Sequence, residues 1–544
     1  MSLFSLENLY RQYLACRRNK RNTINALRFE WRQETNLLAL RDALVDRSYE
    51  PGRSVCFFVR RPKLREVFAA DFRDRVVHHV LVDYLERIWE PVFIHDSWAC
   101  RKGKGVHGAV ARLQTFMRQA SANGTREAWA LQLDVRNYFM SIDKQRLLAM
   151  LGARLRPDCA ENAEARWLCE KLVFHDCTLE PVFKGDPRLV ERLPAHKTLF
   201  RAPPGKGLPI GNLNSQFFAN VYLNALDQFV KHHLKCRWYL RYCDDFVLLA
   251  RSRDELEAWR ERIRAFLRER LALQLNDARE RLRPVDDGVD FLGYIVRPFH
   301  LLVRRRVVGH LREQLARAER ELVETAGSVT TWRFDATTLE TLRARLASYL
   351  GHFKPAAHRR LVAGLWREHP WLRQYFQLDP DDLSVRVRFE PPVVARSVLA
   401  QYRHWRTEFP EDEVLIQIGA FVERLQWPPR RVGRGGHSSP RSGRSAGNPP
   451  GLRRMRATRR GAIDGFPVRQ LPRRVAALLA QGRSVLLIAQ TGTLAGRIEQ
   501  RRPLLRWAPR RPAVPPSAPQ MAGQPPSAAS PRAMSMRWMS LVPS

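Results

Sequence analysis

The chain has 544 residues, and its 93 Lys and Arg against 55 Asp and Glu leave a formal net charge of +38 with histidine neutral. That length implies two to four domains rather than one core, and the excess of cation points to a polyanionic partner, nucleic acid before an anionic membrane surface. No run of about 18 apolar residues occurs, charge follows almost at once on the first residues, and the eight cysteines include no CxxC pair; a membrane-spanning chain, a zinc knuckle and a disulfide framework are excluded, and a cytoplasmic setting without membrane contact is expected.

In chain order, residues 1–50 read as a basic helical arm with Leu9, Tyr13, Leu14 and Leu27 as apolar positions. From 51 to 300, short β-like runs (SVCFFV, AWALQLDV, RWYLRYC, FVLLA, VDFLGYIV) alternate with longer helical patterns, which predicts an α+β domain around a small sheet. Residues 301–375 turn helical, 376–394 with DPDD and EPP read as a linker, and a small mixed α/β pattern occupies 395–510. An insertion at about 428–460 interrupts it; the stretch 430–460 carries no acidic residue and is expected to be disordered, as is the Pro/Ala/Ser tail at 511–544.

The chemistry lies in RWYLRYCDDFVLLA (237–250), where an apolar strand runs into Asp244-Asp245 and out into a second apolar strand, a hairpin with acids at its turn. Two adjacent carboxylates between such strands are costly to bury without a cation. In AWALQLDVRNYF (128–139), Asp134 ends another apolar strand and can face that turn in a sheet. Three carboxylates meeting at a sheet edge suit two-metal phosphoryl transfer, with two Mg²⁺ ions roughly 4 Å apart; taken alone, an Asp-rich turn fits the pair equally well. The pairs His78-His79 and His232-His233 chelate poorly, because adjacent helical side chains point about 100° apart, and read as structural.

Tyr242-Cys243-Asp244-Asp245 resembles the YxDD box of reverse transcriptases, and Asp134 with the following VRNYF resembles their first aspartate motif. The likeness extends, in the family's order, through KLREVFAADFRDRVVHH (63–79), SWACRKGKGVHGAV (97–110), GLPIGNLNSQFFANVYLNALDQFVKH (207–232) and VDFLGYIVRP (289–298), with group II intron maturase-like wording in SYLGHFK (348–354). The resemblance implies a right-hand polymerase, fingers and palm over 51–300 and a helical thumb over 301–375. It would extend a DNA or RNA primer on an RNA template with dNTPs and two Mg²⁺ ions, Mn²⁺ being the natural substitute, with an accessory protein as a further partner. It implies Asp134, Asp244 and Asp245 as the catalytic acids and metal ligands, assisted by the carbonyl of Val135. Phe139 would stand under the incoming sugar and exclude a 2′-hydroxyl; Lys63, Arg65 and Arg75 would contact the triphosphate; Ile210 and Gly211 would border the nucleotide. Ile210 stands where most of the family has Gln, which resembles the error-prone enzymes of diversity-generating retroelements. Arg279 in LNDARERLRP (275–284) stands where relatives carry Lys, and an arginine can stabilise charge but is a poor proton donor.

In the second half, QYRHWRTEFPEDEVLIQIGAFVERLQ (401–426), GFPVRQLPRRVAALLAQGRSVLLIAQTG (465–492) and GRIEQRRPLLRWAP (496–509) resemble the N-terminal mismatch-recognition domain of the MutS family, with its F-x-E motif at Phe421 and Glu423. The resemblance implies a Phe wedge and a Glu hydrogen bond to an unpaired base in a mismatched duplex. No GxxxxGKS/T phosphate loop is present. Two other readings stay open: a defence-associated reverse transcriptase, and a non-catalytic nucleic-acid-binding protein on a polymerase fold.

Overall fold

Trp129–Asp134, Trp238–Tyr242 and Asp245–Ala250 are apolar at most positions, which suits strands covered on both faces. In the computed structural model, which describes residues 2–18, 23–60, 63–156, 158–389, 397–425, 463–494 and 498–510, they form an antiparallel sheet. Its order is Trp238–Tyr242, Asp245–Ala250, Trp129–Asp134, Arg281–Pro284. The chain divides into two compact units, Met1–Arg304 and Arg305–Ser544, and this sheet lies in the first.

Helices Phe72–Trp89, Leu213–Gln228 and Arg253–Leu271 bring Val76, Val80, Phe218, Tyr222, Ile263 and Leu267 into one apolar core with Leu131, Leu133, Phe246 and Leu248 of the sheet. Burying each such side chain is worth about 1.5–3 kcal/mol, so the strand ends that carry the acids rest on a stiff base. A second sheet pairs Val55–Val59 antiparallel with Arg65–Ala69 and parallel with Val182–Lys184. A third joins Val289–Phe291, Tyr294–Val296 and Leu301–Val303.

Helices Leu6–Arg17, Ile24–Trp31 and Gln33–Val45 occupy the expected N-terminal arm, yet they are packed into the first unit. Leu9 and Tyr13 are fully buried, and Tyr13 stacks on Phe29 at 5.7 Å and meets Phe72 edge-on at 6.0 Å. Leu14 and Leu27, also read as apolar positions of that arm, are 44% and 51% exposed.

The second unit differs more from its sequence pattern. Between helices Arg305–Leu322 and Ala336–Phe353 lies a β-hairpin, Val323–Ala326 with Val329–Arg333, in a stretch read as helical. Its second strand pairs with Ile498–Pro509, so the hairpin forms the edge of a seven-stranded sheet that continues through Ser484–Leu494, Asp412–Ile418, Phe421–Leu425 and Ile463–Pro467. The hairpin between these two helices and the C-terminal mixed α/β pattern therefore share one sheet. Part of the expected linker also forms a hairpin, Phe376–Leu378 with Val385–Val387. Helix Leu471–Ala480 sets Leu471, Val475 and Leu479 against Leu415, Val422, Phe466, Val485, Leu487, Leu505 and Trp507. The expected disordered insertion at 428–460 and tail at 511–544 lie outside the described residues. Among the described residues no helix is long and apolar enough to cross a membrane.

Candidate active site

Strand register brings the acids together. Asp134, last in its strand, stands opposite Asp245, first in its own, and Tyr242 closes the hairpin across from Asp245. Cys243 takes the left-handed conformation (φ 54°) that the two-residue turn requires. The Val135 N–H donates to the Asp244 carbonyl at 3.1 Å, so the Asp134-Val135 step is fastened to the turn.

Each carboxylate has its own surroundings. Asp134 is buried; its Oδ1 accepts from Asn276 Nδ2 at 2.8 Å and its Oδ2 from Arg279 Nη1 at 2.7 Å, while the Asn276 N–H bonds the Asp134 carbonyl at 2.8 Å. Asp245 accepts from Gln132 Nε2 at 3.1 Å, and the same amide reaches the Asp290 carbonyl at 3.0 Å. Burial, then the negative charge of Asp134, pushes the Asp244 carboxyl up to about 6, with Arg279 and Arg65 opposing. Asp245 is pushed up to about 7 by burial, with the charges of Asp134 and Asp244 adding and the Gln132 bond opposing. Carboxylates that resist ionising, through burial first and one another's charge second, supply oxygens a hard divalent cation would draw on, completing its shell with phosphate and water. Among the described residues no three His, Cys, Asp or Glu side chains enclose an ion by themselves; Arg279 supplies the local positive charge at Asp134.

The expected nucleotide-binding residues fall on one connected piece of structure. The Leu208 N–H donates to the Phe139 carbonyl at 2.8 Å, and the Phe68 N–H donates to the Ile210 carbonyl at 2.8 Å. Asn212 Oδ1 accepts from the Ala70 N–H at 3.1 Å. The 208–212 loop thus ties Phe139, five residues after Asp134, to the strand Arg65–Ala69. Gly211 (φ 124°) is needed there, since a Cβ would lie 2.6 Å from the Phe68 carbonyl oxygen. Lys63 and Arg65 are exposed at the start of that strand, whereas Arg75 directs its Nε to the Ala70 carbonyl at 2.8 Å.

Phe421 and Glu423 belong to the second unit. Phe421 opens its strand with 52% of its surface exposed, Val422 is fully buried, and Glu423, half-buried, faces the same side as Phe421. Burial raises the Glu423 carboxyl, against the opposing charge of Arg501. Of the histidine pairs, His78 is buried in its helix and His233 stacks on Phe229 at 5.7 Å.

Sequence reasoning passed over Gln132, Asn276 and Arg241. Gln132 and Arg241 each interrupt an apolar strand, a signal that a polar partner waits in the fold; nothing local distinguishes Asn276.

Residues 61–296 match the family described as reverse transcriptase (RNA-dependent DNA polymerase). Protein YkfC of Escherichia coli (strain K12) is 26% identical over 317 residues, which cover 52% of this chain and 75% of that protein. The group II intron-encoded protein LtrA of Lactococcus lactis subsp. cremoris is 21% identical over 329 residues, 48% of this chain and 50% of the relative, so the match spans half the length of that protein. A solved apo telomerase from Candida tropicalis aligns with a TM-score of 0.36 at 10% identity, covering 55% of this chain and 52% of that one. The matched stretch is a reverse transcriptase domain, of RNA-directed DNA polymerase type and homologous to the intron-encoded enzymes.

Proposed function

We propose that the chain extends a primer 3′-hydroxyl with dNTPs on an RNA template. The observation that carries this reading is the meeting of Asp134, Asp244 and Asp245 at one end of the sheet, with Arg279 and Arg65 as the cations beside them. Asp134 and Asp244 are the residues to hold Mg²⁺, with Asp245 and the Val135 carbonyl in support. When bound, the metal lowers the pKa of the attacking hydroxyl and neutralises charge on the departing pyrophosphate.

The protein's own groups do the rest. Lys63 and Arg65 hold triphosphate oxygens through charge-assisted hydrogen bonds. Phe139 presents its ring where a ribose 2′-hydroxyl would stand, which favours dNTPs. Arg279 releases Asp134 to the metal and steadies negative charge at the leaving group, without donating a proton. Ile210 offers the base pair an apolar surface in place of an amide, which lowers the penalty for a mispair and supports a low-fidelity, retroelement-type enzyme. Primer extension on RNA and DNA templates with Mg²⁺ tests the assignment. Asp244→Ala is expected to lose about 100-fold or more of the rate; incorporation that survives the substitution would exclude it.

A second reading concerns the other unit. An exposed Phe421 on the same strand face as a half-buried Glu423 supports contact with an unpaired base in mismatched duplex.

A further inference from the structure

Arg241 is 1% exposed and Asp227, its partner, is fully buried. All five guanidinium donors are used. Nε and Nη2 grip the two oxygens of Asp227 at 2.8 and 2.6 Å, Nη2 also reaches Ser97 Oγ at 3.1 Å, and Nη1 bonds Asn220 Oδ1 at 3.2 Å and the Cys243 carbonyl at 2.9 Å. Tyr239 adds its hydroxyl to Asp227 Oδ1 at 2.7 Å. The backbone is fastened as well: the Arg241 N–H donates to the Asp96 carbonyl and the Trp98 N–H to the Arg241 carbonyl, each at 2.9 Å, while Asn220 Nδ2 bonds the Ala99 carbonyl at 2.8 Å.

An ion pair kept only for the core needs Asp227 alone. Here one donor goes instead to the carbonyl of Cys243, the residue that leads directly into Asp244 and sits in a left-handed turn. Asn220 and Asp227 lie on one helix, Leu213–Gln228, and Ser97 comes from a separate segment. The guanidinium therefore refers the tip of the hairpin to the helix beneath it. We propose that Arg241, held by Asp227, Asn220 and Ser97, is a positioning residue that sets the Cys243-Asp244 turn and so fixes where the Asp244 carboxylate stands relative to Asp134. The proposal rests on the polymerase reading above and adds a residue that touches neither substrate nor metal.

Two variants of the full chain test it. Arg241→Lys keeps the charge facing Asp227 but loses the fork. The double variant Arg241→Met with Asp227→Leu removes both charges together, a replacement that buried ion pairs commonly tolerate, and leaves the Cys243 carbonyl without its donor. Folded fraction is read from thermal melts, Mn²⁺ affinity from paramagnetic resonance on the protein alone, and kcat and dNTP KM from primer extension normalised to folded protein. The expected result is Mn²⁺ binding weakened about fivefold or more and kcat lowered about tenfold or more, with KM within about threefold, because a small misplacement of a reacting group costs rate more than binding. Loss of activity only in proportion to loss of folded protein, with Mn²⁺ affinity unchanged, would reduce Arg241 to a core ion pair and overturn the proposal. Wild-type chain that incorporates no dNTP would instead sink the polymerase reading.

Discussion

A carboxyl buried beside other carboxylates ionises late, and with Asp244 and Asp245 pushed up to about 6 and about 7 the proposed Mg²⁺ site would bind its ion in a pH-dependent way. Both sit above the ordinary carboxylate value of about 4. Their contribution to folding is then fully present below that value and is lost as pH rises through 6 and 7, because the metal-free fold must carry crowded negative charge. Mg²⁺ prefers the ionised pair and should return that stability in the same window. At 100 times its dissociation constant a ligand adds about 2.7 kcal/mol, roughly 5–10 °C for a domain of 150–250 residues. We expect the Mg²⁺-dependent rise in Tm to be small at pH 5, to grow between pH 6 and 7.5, and to vanish in Asp244→Asn with Asp245→Asn; an increment that stays flat across pH would contradict the assignment. The two acids and Asp134 were legible because each ends or begins an otherwise apolar run. Asn276 was not, since its value lies in a bond to a residue 142 positions away.

At the scale of elements, the 208–212 loop shows how one backbone conformation holds two regions together. Alanine at Gly211 puts a Cβ 2.6 Å from the Phe68 carbonyl oxygen, at a φ of 124° that L-residues rarely adopt. Strain of about 1–3 kcal/mol follows, and the Phe68 to Ile210 hydrogen bond is the contact most easily given up. Gly211→Ala should lower Tm and raise dNTP KM several-fold with a smaller effect on kcat. Gly309→Ala, in a helix with open space around the new methyl group, should be neutral or stabilising. Unchanged KM in the first variant would detach this loop from the nucleotide. The palm-like hairpin was readable because its strands and turn are adjacent in sequence. The hairpin at 323–333 announced itself only by VTTW after Gly327-Ser328, between two strong helical patterns, and its sheet partner lies 172 to 180 residues on (Arg333 with Leu505, Val329 with Pro509), beyond any local periodicity.

At the scale of the whole molecule, the charge of +38 is shared between a reverse transcriptase domain and a second unit whose sheet joins the hairpin between helices Arg305–Leu322 and Ala336–Phe353 to the mixed α/β pattern. That shared sheet bears on the mismatch reading, since a strand carrying Phe421 is continuous, through hydrogen-bonded neighbours, with the hairpin between those helices. Binding of duplex at Phe421 would then act on an element attached to the helices by a β-ladder rather than by a loose linker. Nonspecific attraction to such a cationic chain is strong and steeply salt-dependent, with a log–log slope of about −0.9 per neutralised phosphate on B-form DNA, so bare affinity says nothing about mismatches. The informative quantity is the ratio of affinities for mismatched and matched duplexes, measured on the full chain at one salt concentration in wild type, Phe421→Ala and Glu423→Gln. A wedge that stacks on an unpaired base is worth about 1–3 kcal/mol, which predicts a preference of roughly 5- to 150-fold that falls toward unity in Phe421→Ala while the salt slope stays unchanged. Equal affinities in the wild type, or a preference indifferent to Phe421, would leave this strand an ordinary sheet edge with an exposed aromatic.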